Sequence, residues 1–362
     1  MSRKKILFLS PYPWDKAPSQ RLKYEQYYPY FEEAGYELTT SSFVSPAFWK
    51  IIYQKGYYPQ KVLFTLLGYV RRLFDLFRLR RYDLVYVHLW VTPIGPSLFE
   101  WLVTRLARKL VYDIDDLVYL NDQRKQNKVM LWIRGRGKPI ALMKSADHVI
   151  CCTPRLEEFV RQYNDQVTDI SSTINTEVYR PRSVYLPGEP IVIGWSGSHS
   201  TSRYLHLLKE VFQKLSTTHN FVLKVIGDAD FEMEGIEVKA LAWSAEREVT
   251  ELREFDIGVY PLPLDEEWVY GKSGLKALQY MALGIPTVAT AIGANFRVIH
   301  HGETGLLVKS EEEWLEALLR LISKESERQR MGKAAAEFVD LHYSVKANAK
   351  VYLSVLNQVF ES

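Results

Sequence analysis

The sequence predicts an α/β protein with two parallel-sheet domains of Rossmann-like type. Three observations predict it. Short apolar runs alternate with longer helical patterns from one end to the other, as parallel βαβ units require. At 362 residues the chain is too long for one ordinary core and suits two. A stretch with three prolines and a glycine, Asn175–Pro190, separates two sets of such units near the middle.

The elements follow in order. Lys5–Ser10 is an apolar run cut off by Pro11 and Pro13, too short for a signal-peptide core, and reads as a first buried strand. Further strands are predicted at Tyr36–Ser41, Leu84–His88, Leu110–Ile114 and His148–Cys152. Helices are predicted between them at Arg21–Glu33, Gln60–Arg80, Pro96–Lys109 and Pro154–Gln162. The second set has strands at Ile191–Trp195, Phe221–Ile226, Ile236–Lys239, Asp256–Tyr260, Thr287–Thr290 and Leu306–Val308. The domains expected are 1–174 and 191–342, joined by a linker at 175–190. A last helix within 343–362 would pack back on the first domain.

Composition excludes several classes. A hydrophobic share of 47% and a charged share of 25% fit a folded globular chain rather than a disordered one. The net charge of +3 is too small to imply nucleic acid. No apolar stretch approaches the roughly 18 residues of a membrane span. The two cysteines, Cys151 and Cys152, are adjacent and form no disulfide framework, which points to a reducing compartment. A cytoplasmic protein is expected.

The segment Asp265–Pro286 carries the chemistry. Gly271 and Gly274 would let backbone approach a ligand, and Gly284-Ile285-Pro286 ends a helix. On a helix beginning at Gly271-Lys272, the side chains of Lys272, Lys276 and Gln279 fall within about 60° of arc. Two lysines at a helix start suit a diphosphate, because free N–H groups and the dipole add to their charge. Spacing alone equally allows two solvated lysines on an exposed helix.

These residues resemble the large retaining glycosyltransferase family 4, glycosyl transferases group 1, of GT-B fold. The resemblance rests on Leu278–Pro286, Thr287–Thr290 and His301–Val308, and on Ile193–Ser198 followed by Thr201, Tyr204 and Leu205. Asp256–Gly258, Pro18–Leu22 and Asp113–Asp116 extend it over nearly the whole chain in order. It implies two Rossmann-like domains facing each other across a cleft, and a nucleotide diphosphate sugar as donor. It also implies transfer with retention to a hydroxyl of a glycan or lipid-linked glycan, in cell-surface polysaccharide or lipopolysaccharide synthesis. No metal or other cofactor is implied, although Asp113-Ile114-Asp115 mimics a D-x-D motif.

The family commonly has two glutamates eight positions apart, and this sequence has Gly271 and Gln279 there. G-K-x-x-x-K followed by Q-Y-M-A looks like a subgroup in which lysine takes part of the phosphate load. By resemblance, Lys272, Lys276 and the Ser196-Gly197-Ser198 turn would neutralise the leaving group, and Gln279 would hold the ribose. Asp115 or Asp116 would face the donor sugar, unless they only cap a strand-end turn, and Trp243 would lie near the base or, equally, pack in a core. A missing sugar-facing carboxylate would have to come from Asp265, Glu266 or Glu267. Arg203, one turn beyond the serines, is expected to face solvent. Ser19, Arg21 and His88 are candidates for the cleft or acceptor side, although a lone histidine at a strand end is more often a hydrogen-bonded structural residue. A nucleotide-sugar 2-epimerase and a catalytically silent nucleotide-sugar-binding protein remain as alternatives.

Residues 43–81 hold eight Lys/Arg against one acid, Asp75, interleaved with aromatics. That pattern suits peripheral contact with the inner face of a membrane, or two ordinary helices with solvated arginines.

Overall fold

The computed structural model describes residues 3–115, 137–182 and 190–362. The chain divides into two compact units, Met1–Ser171 with Asn348–Ser362, and Ser172–Ala347. The chain passes from one unit to the other at 171/172, so residues 175–182 of the expected linker belong to the second unit, and 183–189 lie outside the described residues.

The first unit holds a parallel sheet of β1 (Lys5–Ser10), β2 (Glu37–Ser42), β3 (Leu84–His88), β4 (Leu110–Asp113), β5 (His148–Cys151) and β6 (Val167–Asp169). Their order is β2-β1-β3-β4-β5-β6. The central strands are buried on both faces, which is why they read as continuous apolar runs. The expected helix at Arg21–Glu33 is broken into Pro18–Arg21, a 3₁₀ turn at Glu25–Tyr27, and Tyr28–Glu33. Pro29 explains the restart, since it cannot accept a place in a helix interior but fits a first turn. The last helix, Val345–Glu361, closes this unit: Tyr352 packs 4.4 Å from Tyr27, and Tyr36 Oη donates to Asn357 Oδ1 at 2.6 Å.

The second unit holds β7 (Ile191–Ser196), β8 (Phe221–Ile226), β9 (Val238–Leu241), β10 (Ile257–Tyr260), β11 (Thr287–Thr290) and β12 (Leu306–Val308). Their order is β12-β11-β10-β7-β8-β9, all parallel. Counted within the unit this is the 3-2-1-4-5-6 winding of a dinucleotide-binding fold. Its direction reverses between β7 and β10, where such sheets bind ligands at the carboxyl ends of the strands.

Candidate functional site

The reversal point brings Trp195, at the end of β7, beside Tyr260, at the end of β10. Lys276, from the helix Leu275–Ala282, lays its ammonium 4.3 Å from the Trp195 ring centroid and 5.6 Å from that of Tyr260. The Thr201 hydroxyl is 3.5 Å from Nζ. Among the described residues no carboxylate pairs with Lys276. Burial first, and the positive charge of Lys272 second, lower its pKa to about 7. Lys272 lies over the Trp268 ring, 4.5 Å from its centroid. Two lysines on aromatic faces, with the charge of Lys272 reaching Lys276, make a place where an anion can be received.

The helix does not begin at Gly271-Lys272. A 3₁₀ turn, Glu267–Gly271, comes first, and Lys272 is extended. Gly274 then turns left-handed at φ 78° and caps the helix from Leu275. A Cβ at Gly274 would also meet Val298 Cγ2 at 3.0 Å, so glycine is required there. Lys272 therefore reaches the site from the preceding turn, and not by helical spacing.

Ser196 is the last residue of β7 and Gly197-Ser198 follow it, one residue later than expected, and two of the three N–H groups are already used. Ser196 N donates to Tyr280 Oη at 2.7 Å, and Gly197 N donates to the Ile226 carbonyl at 2.9 Å. A Cβ on Gly197 would fall 2.4 Å from Lys276 Nζ. Gly227, at φ 110°, lies so close that its own Cβ would meet the Gly197 oxygen at 1.7 Å. The turn thus contributes bare space beside the lysine more than donors from its first residues. The Ser198 hydroxyl lies 3.2 Å from that of Thr201, next to the same amine.

Gln279 is spent inside the protein. It is buried, and its amide donates to Tyr179 Oη at 3.1 Å and to Glu248 Oε1 at 3.3 Å. Glu248 also accepts from Tyr179 Oη at 2.7 Å and from Trp243 Nε1 at 2.9 Å. The two residues expected at the ribose and the base, Gln279 and Trp243, therefore meet on one buried carboxylate. Arg203 and the Tyr204 hydroxyl both engage Glu266, at 3.1 and 2.7 Å, so Arg203 is paired rather than simply solvated.

In the first unit Asp113 is the centre of a buried cluster. Lys23 pairs with it, Tyr86 Oη donates to Oδ2 at 2.7 Å, and His88 Nδ1 lies 3.2 Å from the same oxygen. Burial alone would raise the Asp113 pKa; the Lys23 and His88 charges overcome this and hold it at about 2. His88 is fully buried against Tyr24, with ring centroids 5.0 Å apart, instead of standing at an open edge. Asp115 is partly exposed, with Lys23 Nζ 3.8 Å away and Cys152 Sγ donating to its carbonyl at 2.7 Å. Asp116 lies outside the described residues. Ser19 and Arg21 sit half-buried on the short helix Pro18–Arg21, and both cysteines are free and buried.

Sequence reasoning missed Lys23, Glu248, Tyr280 and Gly227. Only Gly227 carried a local signal, a glycine directly after the apolar run Phe221–Ile226. Among the described residues no cluster of His, Cys, Asp or Glu is arranged to hold a metal.

Residues 190–324 match the family model described as glycosyl transferases group 1. A D-inositol 3-phosphate glycosyltransferase of Arthrobacter sp. is 24% identical over 290 residues, covering 71% of this chain and 66% of the relative. Its counterpart in Pseudarthrobacter chlorophenolicus is 34% identical over 128 residues, covering 35% of this chain and 29% of the relative. The chain thus spans less than two thirds of the length of these relatives. Among solved structures, sucrose-phosphate synthase from Thermosynechococcus elongatus superposes with a TM-score of 0.71 at 18% identity, over 99% of this chain and 100% of the other. A Rickettsia africae glycosyltransferase gives 0.72 at 14%, over 100% of each. Anabaena HepE in complex with UDP and glucose gives 0.70 at 15%, over 98% of this chain and 100% of the other. The fold is the two-domain, Rossmann-like GT-B fold, and the family match with the curated relatives supports a group 1 glycosyltransferase.

Proposed function

We propose that the chain transfers a hexose-type sugar from a nucleoside diphosphate sugar to a hydroxyl of a glycan or lipid-linked glycan. The observation that carries the reading is Lys276, an amine with its pKa lowered to about 7, lying between Trp195 and Tyr260 with Lys272 nearby. An arriving diphosphate supplies negative charge beside Lys276, which no carboxylate among the described residues pairs, and makes charge-assisted hydrogen bonds there. As the donor breaks, the same two cations stabilise the charge growing on the leaving phosphate. The Anabaena HepE complexes with UDP and UDP-glucose support a nucleoside diphosphate sugar as donor. Resemblance to family 4 supports retention, with the leaving phosphate taking the acceptor proton on the same face, and supports a role in cell-surface polysaccharide synthesis.

The test uses radiolabelled nucleotide sugars with a membrane extract, comparing the native chain with Lys276→Met. Label should pass to glycan or lipid with the native chain and not with the variant, while both stay folded by circular dichroism. Full transfer by Lys276→Met would overturn the assignment of that amine. Epimerised donor, or saturable binding without turnover, would overturn the transferase reading itself.

A further inference from the structure

The helix Tyr58–Arg78 is turned inside out. At about 100° per residue, Val62, Leu63, Leu66, Leu67, Val70, Leu73, Phe74 and Phe77 fall on one arc of roughly 140°. All eight are exposed, from 47% for Val70 to 79% for Phe77. The opposite face, which is packed into the first unit, carries the ionic pair Arg72–Asp75. Arg72 donates to the carbonyls of Ser10, Ser41 and Val91 at 2.7, 3.0 and 2.8 Å. Gly68 lets the helix sit against Phe43, whose ring a Cβ there would meet at 2.6 Å. A helix folding for core burial alone would place Leu and Phe inward. Here five polar contacts to Ser10, Ser41 and Val91, and a glycine, hold the polar side inward, so the apolar side faces out by construction.

We infer that this face inserts into the surface of an anionic bilayer. Charge chooses the occupant. Arg71 borders the apolar arc on one side, with Arg78 beside it paired to Asp75, and Arg80 and Arg81 follow at the end of the helix, both exposed. Lys50 and Lys55 are exposed just before it, with Tyr53, Tyr57 and Tyr58. The one acid between residues 43 and 81, Asp75, is buried. A second copy of the chain docked on the face would bring cation against cation. Anionic headgroups would neutralise the same rim, while tyrosines favour the headgroup level. The helix lies on the surface and does not span it, since among the described residues no helix is long and apolar enough to cross a membrane.

This inference stands apart from the transferase reading, because it is tested without donor. The full chain is spun with vesicles of phosphatidylcholine alone, or with about 30% phosphatidylglycerol. Binding is expected to the anionic vesicles, weakened by high salt, and to fall at least about tenfold in Phe74→Glu/Phe77→Glu. Leu66→Gln/Val70→Gln, uncharged and on the same exposed face, should weaken it in the same direction. Arg80→Glu/Arg81→Glu should remove the preference for anionic vesicles. No binding by the native chain, or unchanged binding by the Phe74/Phe77 variant, overturns the proposal. So does a native dimer by light scattering that Phe74→Glu/Phe77→Glu converts to monomer while vesicles go unbound.

Discussion

Lys23 and Lys276 are both lysines drawn off the surface, and the two sheets treat them oppositely. Lys23 is fully buried, bonds to the Ile114 carbonyl at 3.1 Å, and pairs with Asp113. Burial pushes its pKa down, but the Asp113 and Asp115 carboxylates outweigh burial and raise it well above the ordinary lysine value. Lys276 has aromatic faces and a threonine hydroxyl, so burial and Lys272 prevail and the pKa falls to about 7. A charge compensated by its own protein holds the fold together. A charge left short of its counter-ion is held ready for one that arrives.

The largest expected effect tests the first half of that contrast. Lys23→Met leaves the Asp113 carboxylate buried with Tyr86 and His88 as its partners among the described residues, and should cost about 3–5 kcal/mol in chemical denaturation. Adding Asp113→Asn removes the stranded charge and should restore part of the loss. Asp113 has a folded pKa below its unfolded value, so its contribution is present above about pH 4 and is lost as pH falls towards 2. A stability change under about 1 kcal/mol for Lys23→Met would erase the contrast.

Next in size is the effect of Lys276→Met on ligand binding. It should weaken UDP or a related nucleoside diphosphate roughly 10- to 100-fold by calorimetry, the size of a charge-assisted hydrogen bond. Stability should stay level or rise, because Lys276 is a charge the fold holds at a cost. If Lys276→Met destabilised as strongly as Lys23→Met, both lysines would be structural.

The sequence made one side of this comparison legible and hid the other. Lys276 stood out because Gly274 and Gln279 surround it within a few residues, in a pattern that resembles a known family. Lys23 and Asp113 are ninety positions apart, and nothing local to either announces the pair. The sheets were legible because their strands are buried on both faces, giving runs such as Ile6–Leu9. β6 was not, because three residues beside Asp165 and Gln166 carry too little apolar signal. A left-handed Gly274 looks, in sequence, like any glycine near a helix, so the start at Leu275 is not legible there. Resemblance alone puts Gln279 at a ribose, because Glu248, which accepts its amide, comes from another element 31 positions away.

A smaller effect follows from pH. Lys276 titrates near 7 in the free protein, and a bound diphosphate raises that value, so binding takes up a proton above pH 7. Affinity for the diphosphate should be flat below about pH 7 and fall above it, by at most about tenfold per unit. For folding the sign reverses. The unfolded lysine holds its proton up to about 10.4, so the cost of this group to folding is full below about pH 7 and is progressively lost between about 7 and 10.4. Calorimetry in buffers of different ionisation heat measures the proton taken up, and Lys276→Met should take up none.

The smallest expected effect is the sharpest test of what holds Lys276. Thr201 Oγ1 is 3.5 Å from Nζ, at the limit of a hydrogen bond, and donates to the Ser198 carbonyl at 3.1 Å. Thr201→Val keeps the shape and removes the acceptor. Because the contact is long and uncharged on one side, nucleoside diphosphate affinity should fall only about threefold or less. The same change removes a group that favours the protonated amine, so the fall in affinity with pH should begin at a slightly lower pH. Both shifts are small if the arriving anion is the true partner of Lys276. A loss as large as that of Lys276→Met would mean that the threonine, and not the ligand, completes the lysine, and the distinction from Lys23 would collapse.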